Sequence, residues 1–478
     1  MNPLKKLASQ TAIYGLSSVI GRLLNYLLVP LYTRYFLPAE YGVVTELYAY
    51  VAFLVIMLTY GFESAFFNFT KKEDNKEKVY STAMFSLMIS SVIFIILSII
   101  YSNSISEWMG YGIESRYVQY FAVIIGLDAI SSISFAKLRE EEKATRFAVI
   151  RLINIFVNIG LNIFFIVYKG FGFNILGVEC SGGIEYIFIA NLISSIITIL
   201  LLSPAMFRSK FNFDTKLWKK MAIYAFPLLI AGLAGMTNET IDRILLKKLL
   251  PNAEIAASEL GLYGAFYKLS IIMTLFIQTF RYAAEPFFFS QHKSNDNKKV
   301  YADVMKYFTI IMIVIFLGVT MFYDFVIGFL GEAYHDERGF LVVSILLLAN
   351  LFLGIFYNLS IWYKLTEKTK YGAYLSIFGA IITLILNFVL IPIIGFIGSA
   401  IATLVCYFSM TVASYFIGRK HFPIPYNLKT IGLYIFNMLG IYFVIYFYPE
   451  NILINRLLLV GFVIFVYLTE KPKTSKIL

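Results

Sequence analysis

The stretch Tyr35-Phe-Leu-Pro-Ala-Glu-Tyr-Gly42 separates two long apolar runs and is answered later by Leu250-Pro251 and Gly261-Leu-Tyr-Gly264. It reads as a sharp turn: Pro38 removes a backbone donor, and Gly42 permits a conformation that a side chain would obstruct. The echo extends outward on both sides. Ala12-Ile-Tyr14 precedes the first copy and Ala222-Ile-Tyr224 the second, while Glu63 with Phe66-Phe67 closes one and Glu285 with Phe287-Phe288-Phe289 the other. From Tyr41 to Glu63 the second copy follows at a constant offset of 222 residues. Tyr14 and Tyr224 are 210 apart, so the second copy has gained 12 residues in its turn. A further pair, Leu161-Asn162 and Leu386-Asn387, is followed in each case by glycines. The chain is an internal duplication.

Of the 478 residues 59% are hydrophobic and only 14% charged, with a mean hydropathy of +0.76; an ordinary soluble chain has about 25% charged residues. Apolar runs of about 20 residues recur from end to end, each long enough to cross the hydrocarbon core. With no water there, the backbone must satisfy its own hydrogen bonds, and the runs are too long for barrel strands. An all-α membrane protein follows, with fourteen spans near 10–34, 41–66, 79–101, 117–136, 147–168, 178–202, 221–242, 259–288, 304–323, 339–362, 372–392, 396–417, 428–448 and 452–468.

Placing the N-terminus inside puts 28 of the 40 Lys and Arg residues on the inner side and eight on the outer, the other four being within spans. That ratio sets both termini in the cytoplasm and accounts for the net charge of +11 without nucleic acid. Two cysteines, Cys180 and Cys406, fall in different runs, and the three histidines never cluster, so neither a disulfide framework nor a metal site is expected. No loop is long enough for a catalytic domain, and no Gly-rich phosphate loop is followed by Lys and Ser/Thr.

Each copy begins inside and holds six spans, so both insert with one polarity and are related by an axis along the membrane normal. The expected organisation is a six-helix lobe over 1–210, a second over 211–420 and a C-terminal helix pair over 421–478.

With Arg34-Tyr-Phe-Leu-Pro-Ala-Glu-Tyr-Gly42 ending the first span, and the run Leu386-Asn387 to Gly395-Phe-Ile-Gly398-Ser-Ala-Ile-Ala402, the chain resembles a polysaccharide flippase of the multidrug/oligosaccharidyl-lipid/polysaccharide exporter superfamily. The resemblance covers nearly the whole chain. It implies two six-helix lobes around a central cavity that opens alternately to each side and passes a polyprenyl-diphosphate-linked oligosaccharide outward. One departure is the 12-residue extension after the seventh span, which carries Lys247, Lys248, Glu254 and Glu259.

A charge at mid-bilayer costs about 2.5–3.5 kcal/mol by insertion scales, so such residues face a cavity or a partner. Arg22 suits either a helix-stitching ion pair or a diphosphate contact, and Asn25 lies almost one turn on. Glu46 and Lys268 are equivalent in the repeat and opposite in charge; they are expected to meet as a gate when the cavity is closed outward, unless each pairs within its own lobe. Arg281 and Glu285, four apart, can pair locally, and Glu63 is the counterpart of Glu285 at the inner rim. Asp128 lacks an obvious sequence partner: it reads either as a buried acid bonded to Ser131 or Ser132, or as an ion-coupling site. Glu239, Asp242 and Arg243 read as a solvated helix end, with a cation site as the alternative. Pro227, Gly232 and Gly235 suggest a bend in the seventh span.

The expected function is a flippase for lipid-linked oligosaccharide in the bacterial inner (cytoplasmic) membrane, serving cell-surface polysaccharide biosynthesis and making no covalent bond. Arg22, Asn25, Lys268 and Arg281 would meet the diphosphate, and no cofactor is needed. Expected partners are the lipid-linked oligosaccharide, membrane lipid and other polysaccharide assembly proteins, with no nucleic acid. The rivals are a drug/cation antiporter and a membrane glycan polymerase or ligase; the short outer loops argue against the latter.

Overall fold

The computed structural model describes residues 19–21, 23–111, 115–167, 183–207, 212–291, 297–449 and 452–470. Its described residues hold eleven helices long and apolar enough to cross a membrane. A twelfth candidate is the pair Ala253–Leu269 and Ile271–Tyr282, bent by 46°. The first expected span lies partly outside the described residues, and Ile452–Glu470 is also helical, so the pattern is consistent with fourteen spans.

The helices that position the site are α1 (Leu28–Tyr35), α2 (Pro38–Thr59), α3 (Phe62–Phe69), α4 (Lys76–Ile100), α5 (Ser102–Met109), α6 (Ser115–Glu140), α7 (Ala144–Val167), α8 (Glu185–Phe207), α9 (Thr215–Leu249), α10 (Ala253–Leu269), α11 (Ile271–Gln291) and α12 (Asn297–Met321). Their starts are set by local chemistry. Pro38 occupies the first turn of α2, where no donor is missed, and Glu40 accepts the Leu37 N–H at 2.8 Å. Asn75, Asp214 and Asn252 accept backbone N–H groups in the first turns of α4, α9 and α10.

Gly42 is an ordinary helical residue, not a turn residue as expected. What it provides is proximity. A Cβ at Gly42 would run into the Ala257 carbonyl, and one at Gly261 into the Pro38 carbonyl. The two copies of the opening motif therefore press α2 and α10 together, backbone against backbone. The second motif pair is core: Asn162 and Asn387 are both fully buried and donate to a carbonyl four residues back on their own helix.

The 12-residue extension is helical on either side of a short link at residues 250–252. It lengthens α9 to 35 residues, roughly 52 Å at 1.5 Å per residue, well beyond the hydrocarbon core. Pro227 sits inside this continuous helix, and a separate break of 46° falls at Ser270, between α10 and α11. The last helices, α18 (Leu428–Phe447) and α19 (Ile452–Glu470), follow α13 (Tyr323–Ile327), α14 (Gly339–Leu359), α15 (Ile361–Leu365), α16 (Lys370–Ile394) and α17 (Phe396–His421). Both pack on α12, where Glu470 accepts from Lys306 at 2.5 Å and from Tyr434 at 2.7 Å.

Candidate functional site

The two halves of the chain meet along α2, α9 and α10. On α9, Glu239, Arg243 and Lys247 recur every fourth residue and so form one stripe. Further along this side, a Cβ at Gly232 would touch Ile56 of α2 at 3.3 Å, so the stripe looks toward the first half.

At the end where α2 begins, Glu46 is wholly buried. Its Oε2 lies 2.6 Å from Lys247 Nζ and also accepts from the Tyr111 hydroxyl, while Oε1 has no hydrogen-bond partner among the described residues. The Lys247 ammonium stands 3.7 Å from the centre of the Tyr111 ring. Next to it, Lys248 donates to the Trp108 carbonyl at 2.6 Å and lies over the indole at 4.3 Å. Thus α2 and the segment around α5 grip the tip of α9. The cation facing Glu46 is Lys247, from the extension, and not Lys268, its repeat equivalent. Symmetry gives equivalent places but does not say which residues pair.

Lys268 has a different setting. Half-buried in the last turn of α10, it lies within the field of Glu239 and Arg243. Arg243 is 12% exposed, with its guanidinium 4.2 Å above the Tyr267 ring, and donates to the Glu239 carbonyl at 2.5 Å. Asp242 is buried at 3% and accepts from Tyr263 at 2.5 Å. The group expected at a solvated end is therefore largely interior: only Glu239 is exposed, and among the described residues it has no ion-pair partner. The stripe was visible in the sequence as an i, i+4, i+8 spacing, but reading the charges as a helix end hid it.

Arg281 lies on α11 with its guanidinium 4.0 Å over the Tyr357 ring. Its expected partner Glu285 has a side chain outside the described residues, and Arg22 lies outside them altogether. Asn25 is exposed. Glu63 pairs with Arg139 of α6 at 2.5 Å, both half-exposed, and Arg139 also covers the Phe67 ring. Asp128 accepts from Ser195 of α8 at 3.0 Å. Ser131 and Ser132, its expected neighbours in hydrogen bonding, donate to their own helix instead. Arg151 lies close enough for its charge to act on Asp128, and stacks over Phe135 at 4.2 Å.

Two carboxylates on this inter-half surface, Glu46 and Asp242, are thus neutralised by neighbouring cations, whereas among the described side chains Lys268 and Arg281 have no carboxylate within ion-pair distance. No group of His, Cys, Asp and Glu among the described residues could hold a metal ion.

Residues 7–292 match the family model described as polysaccharide biosynthesis protein. The chain belongs to that family. The resemblance read from the sequence is borne out, as is the multi-pass, all-helical plan. Among curated proteins nothing matches. Among solved structures, the fold is similar to a lipid II flippase MurJ in an inward closed conformation, with 18% identity and a TM-score of 0.72 over 95% of this chain and 98% of that one. It is also similar to a MATE protein in the straight conformation, with 14% identity and a TM-score of 0.60 over 88% and 96%. A third is an outward-facing multidrug resistance MATE family transporter of the MOP superfamily, at 14% identity and TM-score 0.57, covering 87% and 94%. At these identities the likeness is one of fold.

Proposed function

We propose that this member of the polysaccharide biosynthesis family is a flippase that carries a polyprenyl-diphosphate-linked oligosaccharide from the inner to the outer leaflet of a bacterial inner membrane. One observation carries the reading. Lys268, on the helix that packs against the first half, and Arg281, on the next helix, have no carboxylate within ion-pair distance among the described side chains, while the end nearest Pro38 is closed by Gly42, Gly261 and the Glu46–Lys247 pair. A cationic surface beside a shut mouth suits an anionic cargo awaiting release.

The excess of Lys and Arg in the loops at the opposite end supports cytoplasmic termini, with the Pro38 end outward. The two six-helix lobes, 1–210 and 211–420, then rock about the α2–α10 seam, with 421–478 as an appended pair. No covalent bond is made. Lys268 and Arg281 hold the diphosphate, Arg22 and Asn25 extend that contact, and Glu63 and Glu285 form the inner rim. Asp128, Glu239 and Asp242 are the acids available for coupling to an ion gradient.

The test is reconstitution in liposomes with a fluorescent polyprenyl-diphosphate glycan whose outward movement is read by chemical quenching. Lys268→Gln and Arg281→Gln should slow transfer at least about tenfold each, about 1.4 kcal/mol. Efficient uptake of a lipophilic cation with no glycan transfer would instead make the protein a drug/cation antiporter.

A further inference from the structure

The long helix α9 is exposed on two sides, and the two differ in kind. Ile223, Phe226 and Ile230, three and four residues apart, are all exposed and form an apolar stripe fit for lipid. Glu239 follows Ile230 by about two and a half turns, which places it on the opposite side of the helix. That side faces the first half: a Cβ at Gly61 would lie 3.5 Å from Leu228, and one at Gly232 would lie 3.3 Å from Ile56. Leu228 and Glu239 are nonetheless exposed, and a Cβ at Gly235 would meet nothing within 4 Å among the described residues. The open space beside Gly235 and Glu239 therefore lies between the halves and not in the lipid. One turn further on, Arg243 ends it by lying over the Tyr267 ring.

A carboxylate inside a membrane-spanning helix is costly and calls for a partner. Those nearby are answered by protein: Asp242 accepts from Tyr263, and Glu46 faces Lys247. Glu239 has no ion-pair partner among the described residues, yet its charge acts on Lys268, Tyr267 and Tyr407. An acid and an ammonium thus border one open space.

We propose that Glu239 is a specificity-determining residue that reads the sugar joined to the diphosphate, accepting hydrogen bonds from the hydroxyls of an uncharged sugar and disfavouring a uronic acid. The inference rests on the flippase reading. With the diphosphate on Lys268, the sugar bonded directly to it lies beside the turn that carries Glu239. An ionised carboxylate only accepts hydrogen bonds, so it suits a group that brings donors, as a hydroxyl-bearing ring does. A sugar carboxylate at the same place would set two like charges side by side, and specificity is commonly built from such a repulsive element. The space at Gly235 gives the ring room along α9. An acid that coupled transport to an ion gradient would act alike on every cargo, whereas one that reads the sugar changes the ratio between two.

The test gives purified full-length protein in nanodiscs an equimolar mixture of two probes that differ only in the first sugar. One is undecaprenyl diphosphate bearing glucose, the other undecaprenyl diphosphate bearing glucuronic acid. In native mass spectrometry the parent protein should retain the glucosyl probe at least about tenfold over the glucuronosyl one. Glu239→Gln should bring that ratio to within about twofold, since the amide carries no charge and also donates. Glu239→Ala should narrow it as well, and rates of transfer in liposomes should follow the same ratios. Equal retention of both probes by the parent protein, or a preference that survives both substitutions, overturns the inference and leaves the flippase reading standing. Slowing of both probes alike by Glu239→Gln, with the ratio unchanged, also overturns it and makes Glu239 a coupling acid. Retention of neither probe by the parent protein overturns the flippase reading itself, and this inference with it.

Discussion

Glu46 and Lys247 meet across the boundary between the two halves, 2.6 Å apart, with the carboxylate wholly buried and the ammonium 10% exposed. Removing one partner strands the other charge in a dry interface, at about 3–5 kcal/mol. Glu46→Gln and Lys247→Met should each lower the thermal midpoint of the purified protein, and the exchange Glu46→Lys with Lys247→Glu should restore most of the loss. Exchanging Glu46 with Lys268 should restore nothing. Recovery by that second exchange would show that the repeat-equivalent pair is the operative one.

The close approach of α2 and α10 depends on Gly42 and Gly261, where an added Cβ meets backbone instead of a movable side chain. Gly42→Val and Gly261→Val should each disfavour the closed arrangement by about 1–3 kcal/mol. Spin labels at Glu40 and Glu254, both exposed at this end, should report a longer distance in the variants. An unchanged distance distribution would place the control of closure elsewhere.

Asp214 lies outside the membrane-spanning segments, and its hydrogen bond from Lys78, helped by the Leu217 N–H, brings its carboxyl down from 3.8 to about 2. A group depressed on folding contributes stability that is complete above its ordinary value and is lost as pH falls through its folded one. The join between α4 and α9 should therefore weaken between about pH 4 and pH 2. Asp214→Asn should lower the thermal midpoint at pH 5 and flatten its dependence on pH in that window. A variant as steep as the parent below pH 4 would assign the acid sensitivity to another carboxylate.

Glu470 ties the last helix to α12 through Lys306 and to α18 through Tyr434. Glu470→Gln gives up the charge-assisted contact, worth about 1.5–3 kcal/mol. Limited proteolysis should then cut α18 and α19 sooner while the rest of the chain stays intact. Equal cleavage rates in variant and parent would show that apolar packing on α12 holds the pair.

Bilayer thickness fixes how long an apolar run must be, so the membrane-spanning helices could be read from the chain alone. Pairings could not. Glu46 and Lys268 occupy equivalent positions, yet the extension that breaks the symmetry supplies Lys247 and changes the partner. Asp128 shows the same limit: its hydrogen bond comes from Ser195, 67 residues away, and not from the serines beside it. Pro227 lies inside a continuous helix, since a membrane helix can absorb a proline, whereas the break at Ser270 carries neither Gly nor Pro. The stripe of Glu239, Arg243 and Lys247 was legible in principle, since its spacing is that of one helix face.

The break at Ser270 falls two residues after Lys268 and separates α10 from α11 by 46°. α10 is fastened to α2 by the glycine contacts, whereas Arg281 rides on α11, beyond the joint. The eighth span is therefore a knee, not a rod. Because the bend stands between them, the clasp at Gly42 and Gly261 sets the direction of α10 without setting that of the helix that carries Arg281.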